Sequence, residues 1–113
     1  MSTITTHVLD TSRGHPARGV EVVLEFRDGR EWKALGKGLT DANGRCNTLI
    51  AEDGKIESGT YRLLFSIGAY YHAQHTETFY AEIPVVFEVL HPEAHYHIPL
   101  LISPFGYSTY RGS

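Results

Sequence analysis

The residue order predicts an all-β fold, a two-sheet sandwich of about eight short strands with one short helix. Three observations carry that expectation. Apolar side chains recur at every second position in several separate runs, the period of a strand with one buried face. Turn-forming residues divide those runs at short intervals, as sandwiches require. One stretch, from Ile67 to Tyr80, lacks the alternation and carries few β-branched residues.

In the first run, Ile4, Thr6 and Val8 form one set and Thr5 and His7 the opposite one. Asp10 to Pro16 reads as a loop whose Gly14 and Pro16 set its path. Val20, Val22, Leu24 and Phe26 then share a face, with Glu21, Glu25 and Arg27 on the other. Asp28-Gly29 is a tight hairpin signal, followed by an extended run through Trp32, Ala34 and Leu35 towards Thr40. Asp41-Ala42-Asn43-Gly44 is a second turn, leading into a short segment from Arg45 to Ile50. Tyr61, Leu63 and Phe65 alternate next, and a short helix is expected around Gly68 to His75. Ile83, Val85, Phe87 and Val89 make the next strand, and Tyr96, Ile98, Leu100 and Ile102 the one after it. Ser103-Pro104 breaks the chain before a last run from Phe105 to Arg111. Phe26 and Trp32 are expected to pack, and Cys46 to be a small buried or half-buried side chain.

At 113 residues the chain is expected to form one domain, 1–113, burying roughly two-thirds of its unfolded surface. A net charge of -3 with interspersed signs offers no basic stripe, which argues against a nucleic-acid partner. No run approaches the roughly 18 apolar residues of a membrane helix, so no membrane partner is expected. Met1-Ser2-Thr3 leads directly into the first alternation without a basic or long apolar segment. A single cysteine, Cys46, forms no internal disulfide; together these features predict a cytoplasmic protein.

Seven histidines are the compositional oddity. Tyr96, Ile98, Leu100 and Ile102 claim the core side of their strand, so His95 and His97 point outward. His7 points outward from the first strand by the same argument. Taken singly, each reads as a solvated surface residue. A His-x-His pair also projects two imidazoles to one side, where they could share a metal. No Asp, Glu or third His stands at a matching spacing, and His72 and His75 lie in a different segment, so no metal is expected.

Two stretches carry a more specific message. Thr5-Thr6-His7-Val8-Leu9-Asp10-Thr11 near the start, and the run from His95 to Ser113 closing on Tyr110-Arg111-Gly112-Ser113, together resemble the transthyretin-related 5-hydroxyisourate hydrolases of purine breakdown. The resemblance spans essentially the whole chain. It implies a transthyretin-like sandwich, and the Tyr-Arg-Gly-Ser ending is what separates these hydrolases from the hormone-carrying transthyretins. It further implies a site made of a first-strand histidine, an arginine after an Asn-Gly-Arg-type turn, the second histidine of a His-Tyr-His run, and that ending. Carried across, these are His7, Arg45, His97, and Tyr110, Arg111, Gly112 and Ser113. His7, Arg45, His97 and Ser113 are then the catalytic set, and His7, Arg45 and Tyr110 to Ser113 hold the substrate. The loop from Asp10 to Pro16 is similar to the family's Leu-Asp-Thr…Gly-x-Pro-Ala signature and is expected to be structural. The resemblance also implies a homotetramer, a dimer of dimers with sites at the dimer–dimer interface, and no metal or organic cofactor.

The chemistry suits those residue types. Opening the six-membered ring of 5-hydroxyisourate at its acyl carbon needs an activated water, a donor for the developing oxyanion, and planar polar recognition. A neutral imidazole has a pKa near the working pH and suits the first need. A guanidinium presents a rigid fork of donors and suits the other two. Either His7 or His97 serves as base while the other orients. Ser113, by its hydroxyl or the α-carboxylate, fixes a histidine or the water. The product implied is 2-oxo-4-hydroxy-4-carboxy-5-ureidoimidazoline. The alternative is a non-catalytic, transthyretin-type small-ligand binding protein.

Overall fold

The computed structural model describes residues 3–51 and 54–113, Thr3 by its backbone alone. Nine strands and one helix form among the described residues. They are β1 (Thr3–Asp10), β2 (His15–Pro16), β3 (Glu21–Asp28), β4 (Glu31–Leu39), β5 (Arg45–Cys46), β6 (Gly59–Phe65), α1 (Ile67–His72), β7 (Ile83–Val89), β8 (His95–Ser103) and β9 (Gly106–Thr109). One sheet runs β2-β1-β8-β9, with β5 also paired to β1; the other runs β4-β3-β6-β7. The first and eighth strands lie parallel, with Thr5 opposite His97 and His7 opposite Pro99.

The alternation read from the sequence decides which side chains enter the space between the sheets. Ile4, Val8, Val22, Leu24, Tyr61, Leu63, Phe65, Ile83, Tyr96, Leu100 and Ile102 are all buried in one cluster. Fully burying a side chain of this size stabilises the fold by about 1.5–3 kcal/mol. Phe26 leans on Tyr61 with ring centroids 5.0 Å apart, as expected of a packing residue. Cys46 is buried as well. Trp32 is different, because it lies half-buried on the outer face of its sheet under the Arg62 guanidinium, 4.4 Å from its ring.

Several boundaries differ from the sequence expectation, each for a local reason. His15 and Pro16 are not loop but a two-residue strand, pairing with Asp10 and Leu9. The segment after Asn43-Gly44 pairs only through Arg45 and Cys46, and the chain then leaves the ladder. On β4 the alternation slips at Leu35, where Gly36 faces Leu24 but Ala34 faces Glu25, a bulge that turns Leu35 outward. The last strand covers Gly106–Thr109 rather than reaching Arg111.

The helix is shorter than expected, ending at His72, and His75 follows at a φ of 55°. A helix this short forms through packing rather than propensity. Its buried face presents Tyr70 and Tyr71, whose hydroxyls donate to the buried Asp10 carboxylate at 2.9 and 3.0 Å. The Ser12 hydroxyl and N–H donate to the same carboxylate. Burial pushes the Asp10 pKa up, but these donors outweigh it and hold the group below the ordinary carboxylate value. Asp10 therefore ties α1 to the end of β1, which supports the structural reading of its motif.

Candidate functional site

The outer face of the β1–β8 sheet collects the residues singled out in the sequence. On β1, His7 lies directly across from Arg45 of β5. That placement depends on the turn before β5. The Asp41 carboxylate accepts from the N–H groups of Asn43 and Arg45 at 2.9 and 3.0 Å. Those two donors, Arg45 foremost, hold the Asp41 pKa below its usual value. Gly44 sits at a φ of 76°, and a Cβ there would fall 2.3 Å from the Val8 carbonyl oxygen. Only glycine lets the turn press against β1 and set Arg45 beside His7. The Arg45 guanidinium is exposed and has no hydrogen-bonded or ion-paired acceptor among the described residues.

One strand further across, Thr5 and His97 are register partners. The Thr5 hydroxyl lies 2.8 Å from His97 Nδ1 and 3.3 Å from His95 Nε2. The two imidazoles stand nearly parallel, with ring centroids 6.3 Å apart. On the far side of β8 the chain end returns, and the Gly112 N–H donates to the His97 carbonyl at 2.8 Å. A Cβ on Gly112 would meet His97 Cδ2 at 2.6 Å and Pro99 Cγ at 3.2 Å. His97 is thus clamped, with a hydroxyl at Nδ1 and a bare backbone against Cδ2.

The electrostatics follow from this crowding. Burial lowers the His97 pKa, and the Arg45 guanidinium and the neighbouring His95 and His7 imidazoles, with which a protonated His97 would compete for charge, lower it further. A neutral imidazole is favoured there, with one ring nitrogen holding a lone pair.

The structure therefore brings His7, Arg45 and His97 onto one face, with Gly112 beside His97. Arg111 lies over the Tyr96 ring, its guanidinium carbon 4.6 Å from the centroid. Tyr110 and Ser113 are exposed. Tyr110 and Arg111 also line an open cleft of about 230 Å³ between β7 and the chain end, together with Phe87, Tyr96 and His97. His7 and Arg45 lie outside that cleft, on the open sheet face. Among the described residues, no group of three or more His, Cys, Asp or Glu side chains could hold a metal. No described helix is long and apolar enough to cross a membrane.

Thr5 is the residue that sequence reasoning left out of the site. Its outward position was legible from the alternation with His7. Its pairing with His97 was not, because that depends on a parallel register between strands about ninety residues apart.

Known proteins place this arrangement in context. The HIUase/Transthyretin family matches residues 4–112. A 5-hydroxyisourate hydrolase from Salmonella typhi is 46% identical over 110 residues, covering 97% of this chain and 80% of its own. A probable 5-hydroxyisourate hydrolase from Caenorhabditis elegans is 42% identical over 112 residues, 99% of this chain and 82% of the relative. The solved 5-hydroxyisourate hydrolase of Klebsiella pneumoniae superposes with a TM-score of 0.88 at 39% identity, with both chains covered in full. Transthyretin from Sparus aurata superposes with a TM-score of 0.89 at 34% identity, covering 97% of this chain and 96% of its own.

Proposed function

The chain belongs to the HIUase/transthyretin family, and on that premise we propose that it hydrolyses 5-hydroxyisourate. The observation that carries this reading is the outer sheet face on which His7, Arg45 and His97 converge, with His97 kept neutral by burial and by its positive neighbours. Relatives named for this activity align over nearly the whole chain.

In this reading His97 or His7 takes a proton from water, and the oxygen attacks the acyl carbon of the six-membered ring. Arg45 donates to the oxygen on which negative charge develops; among the described residues its guanidinium is not committed to another acceptor. Collapse of the intermediate breaks the ring C–N bond, and the imidazolium returns its proton to the leaving nitrogen. General-base help of this kind contributes about 10²- to 10⁴-fold. Tyr110, Arg111, Gly112 and Ser113 border the substrate, with the Ser113 hydroxyl positioning the water or a histidine. No metal takes part.

The site face is open in the single chain, so a second subunit is needed to exclude water. We assign that cover to a homotetramer built as a dimer of dimers. Exposed apolar side chains at Phe79, Val86, Leu90, Phe105 and Tyr107 fit extensive burial between subunits. The free, buried Cys46 fits a reducing compartment, and we place the enzyme in the cytoplasm.

The alternative is a small-ligand carrier, for which the transthyretin likeness speaks. A face carrying His7, Arg45 and His97 is too polar and cationic for an apolar ligand. The deciding experiment adds purified protein to freshly oxidised urate and follows the ultraviolet absorbance of the transient product. Faster decay that survives chelation is expected. Decay at the uncatalysed rate would favour the carrier.

A further inference from the structure

A hydroxyl between two imidazoles can satisfy both of them only in two ways. It has one proton to give and lone pairs to receive, so it must donate to one ring and accept from the other. Thr5 is in that position, 2.8 Å from His97 Nδ1 and 3.3 Å from His95 Nε2. Its side chain is almost fully buried, and its strand is held to β8 through eight register pairs, so the hydroxyl has little freedom to turn to water.

The two arrangements have opposite chemical consequences. If His97 Nδ1–H donates to Thr5 and Thr5 donates to His95 Nε2, then His97 Nε2 keeps its lone pair. If His95 Nε2–H donates to Thr5 and Thr5 donates to His97 Nδ1, then His97 Nε2 carries the proton and cannot act as a base. The tautomer of a histidine is set by the hydrogen bond its other nitrogen makes. A ring flip would set Cδ2 rather than Nδ1 against Thr5 and forfeit the 2.8 Å hydrogen bond, so the bond holds the ring in this orientation.

We infer that Thr5 is a positioning residue, relaying between His95 and His97 so that His97 holds its proton on Nδ1 and offers Nε2 as the base. This rests on the hydrolase reading and extends it, because it selects His97 over His7 for the proton transfer and gives His95 a role. When His97 gains the water proton at Nε2, its Nδ1–H remains bonded to the Thr5 oxygen, and the Thr5 hydroxyl goes on donating to His95 Nε2. No proton need leave the relay during the attack. The titratable groups around His97 are His7 from β1, Arg45 from β5, His95 on its own strand, and Glu88 and Arg111, which line the adjoining cleft. Glu88 is the carboxylate among them and accepts from the Thr60 hydroxyl at 2.8 Å, whereas His97 Nδ1 is bonded to Thr5.

The test uses the full chain with ¹⁵N-labelled histidine, together with Thr5→Val, Thr5→Ser and His95→Leu. Valine keeps the branched shape and strand preference of threonine while removing the hydroxyl. In the unaltered protein, nitrogen shifts and couplings should show His97 neutral with its proton on Nδ1. In Thr5→Val the proton should move to Nε2 and kcat should fall about 10- to 100-fold, by analogy with the loss of a partner that orients a metal-bound histidine. KM should stay within about twofold, since the hydroxyl contacts the base rather than the substrate. Thr5→Ser should restore both the tautomer and most of kcat, and His95→Leu should repeat the Thr5→Val pattern. An Nε2–H tautomer in the unaltered protein, or unchanged kcat in Thr5→Val or His95→Leu, overturns the relay. Loss of the hydrolase reading would show separately, as an unaltered protein without activity, and the spectra would still decide the tautomer.

Discussion

The two sheets of this sandwich share one core but present contrasting outer faces. On the β4-β3-β6-β7 sheet the charges are matched. Arg62 donates through Nε and Nη2 to Glu25 Oε1, each at 2.7 Å, and its guanidinium lies over Trp32. Thr60 donates to Glu88, and Lys33 lies 2.8 Å from Asp28. On the β1–β8 sheet, no carboxylate hydrogen-bonds to the side chains of His7, His97 or Arg45 among the described residues, and His97 is served by a threonine hydroxyl. Paired charges stabilise modestly and leave no group free for chemistry. The histidine face does the reverse: its positive groups crowd together, lower the His97 pKa, and keep donors and a lone pair available for a ligand.

The contrast is most exposed at the chain end. Removing Tyr110 to Ser113 takes away the Gly112 clamp and the Arg111–Tyr96 contact but no core side chain. The ultraviolet assay should lose more than about 10²-fold, while circular dichroism and gel filtration show a folded oligomer. Retained activity would place the site elsewhere.

Next in size, His97→Asn and His7→Asn should each lower kcat by about 10²-fold. Both side chains point away from the core, so thermal melts should move little. Unfolding in both variants would make the histidine face structural, like the opposite one. Gly112→Ala tests the clamp by steric means alone. A methyl group 2.6 Å from His97 Cδ2 must displace the ring, and misplacement of about 1 Å costs up to about 10²-fold. Unchanged kcat would mean that the chain end yields instead of His97.

A smaller effect concerns pH. Because the His97 pKa is lowered, its neutral form persists to more acid conditions than for an ordinary histidine. Activity that needs the neutral base is complete above that depressed pKa and lost as pH falls through it. The acid limb of kcat/KM should therefore lie below the usual histidine value of about 6.5. A limb at or above that value would remove the influence of burial and of Arg45 and its neighbours on His97. The smallest effect belongs to the matched face. Arg62→Lys breaks the forked contact with Glu25 and weakens the stacking on Trp32, and should cost about 1 kcal/mol in denaturant melts with no change in kcat. A fall in kcat would show that the two faces are coupled through the core.

Much of this molecule was written locally. Alternation at Val22, Leu24, Tyr61, Leu63, Leu100 and Ile102 determined the core, since side chains two apart on a strand must share a face. The same rule turned His7, His95 and His97 outward, and the Asp41 to Gly44 turn marked where Arg45 would emerge. Only the tertiary structure decided who meets whom. The family resemblance implied that His7, Arg45 and His97 share a site, but no local pattern pairs β1 with β8 in parallel or with β5 antiparallel, and so none sets Thr5 against His97 or His7 against Arg45. His15–Pro16 was missed as a strand because its ladder partner, not its own propensity, holds it extended. The helix stopped short of His75 because Gln74 and His75 donate to carbonyls three residues back, at Tyr71 and His72, and His75 turns to a φ of 55°. Local periodicity fixes the direction in which a side chain points, whereas register between distant strands fixes its neighbours, and the chemistry of this face depends on the neighbours.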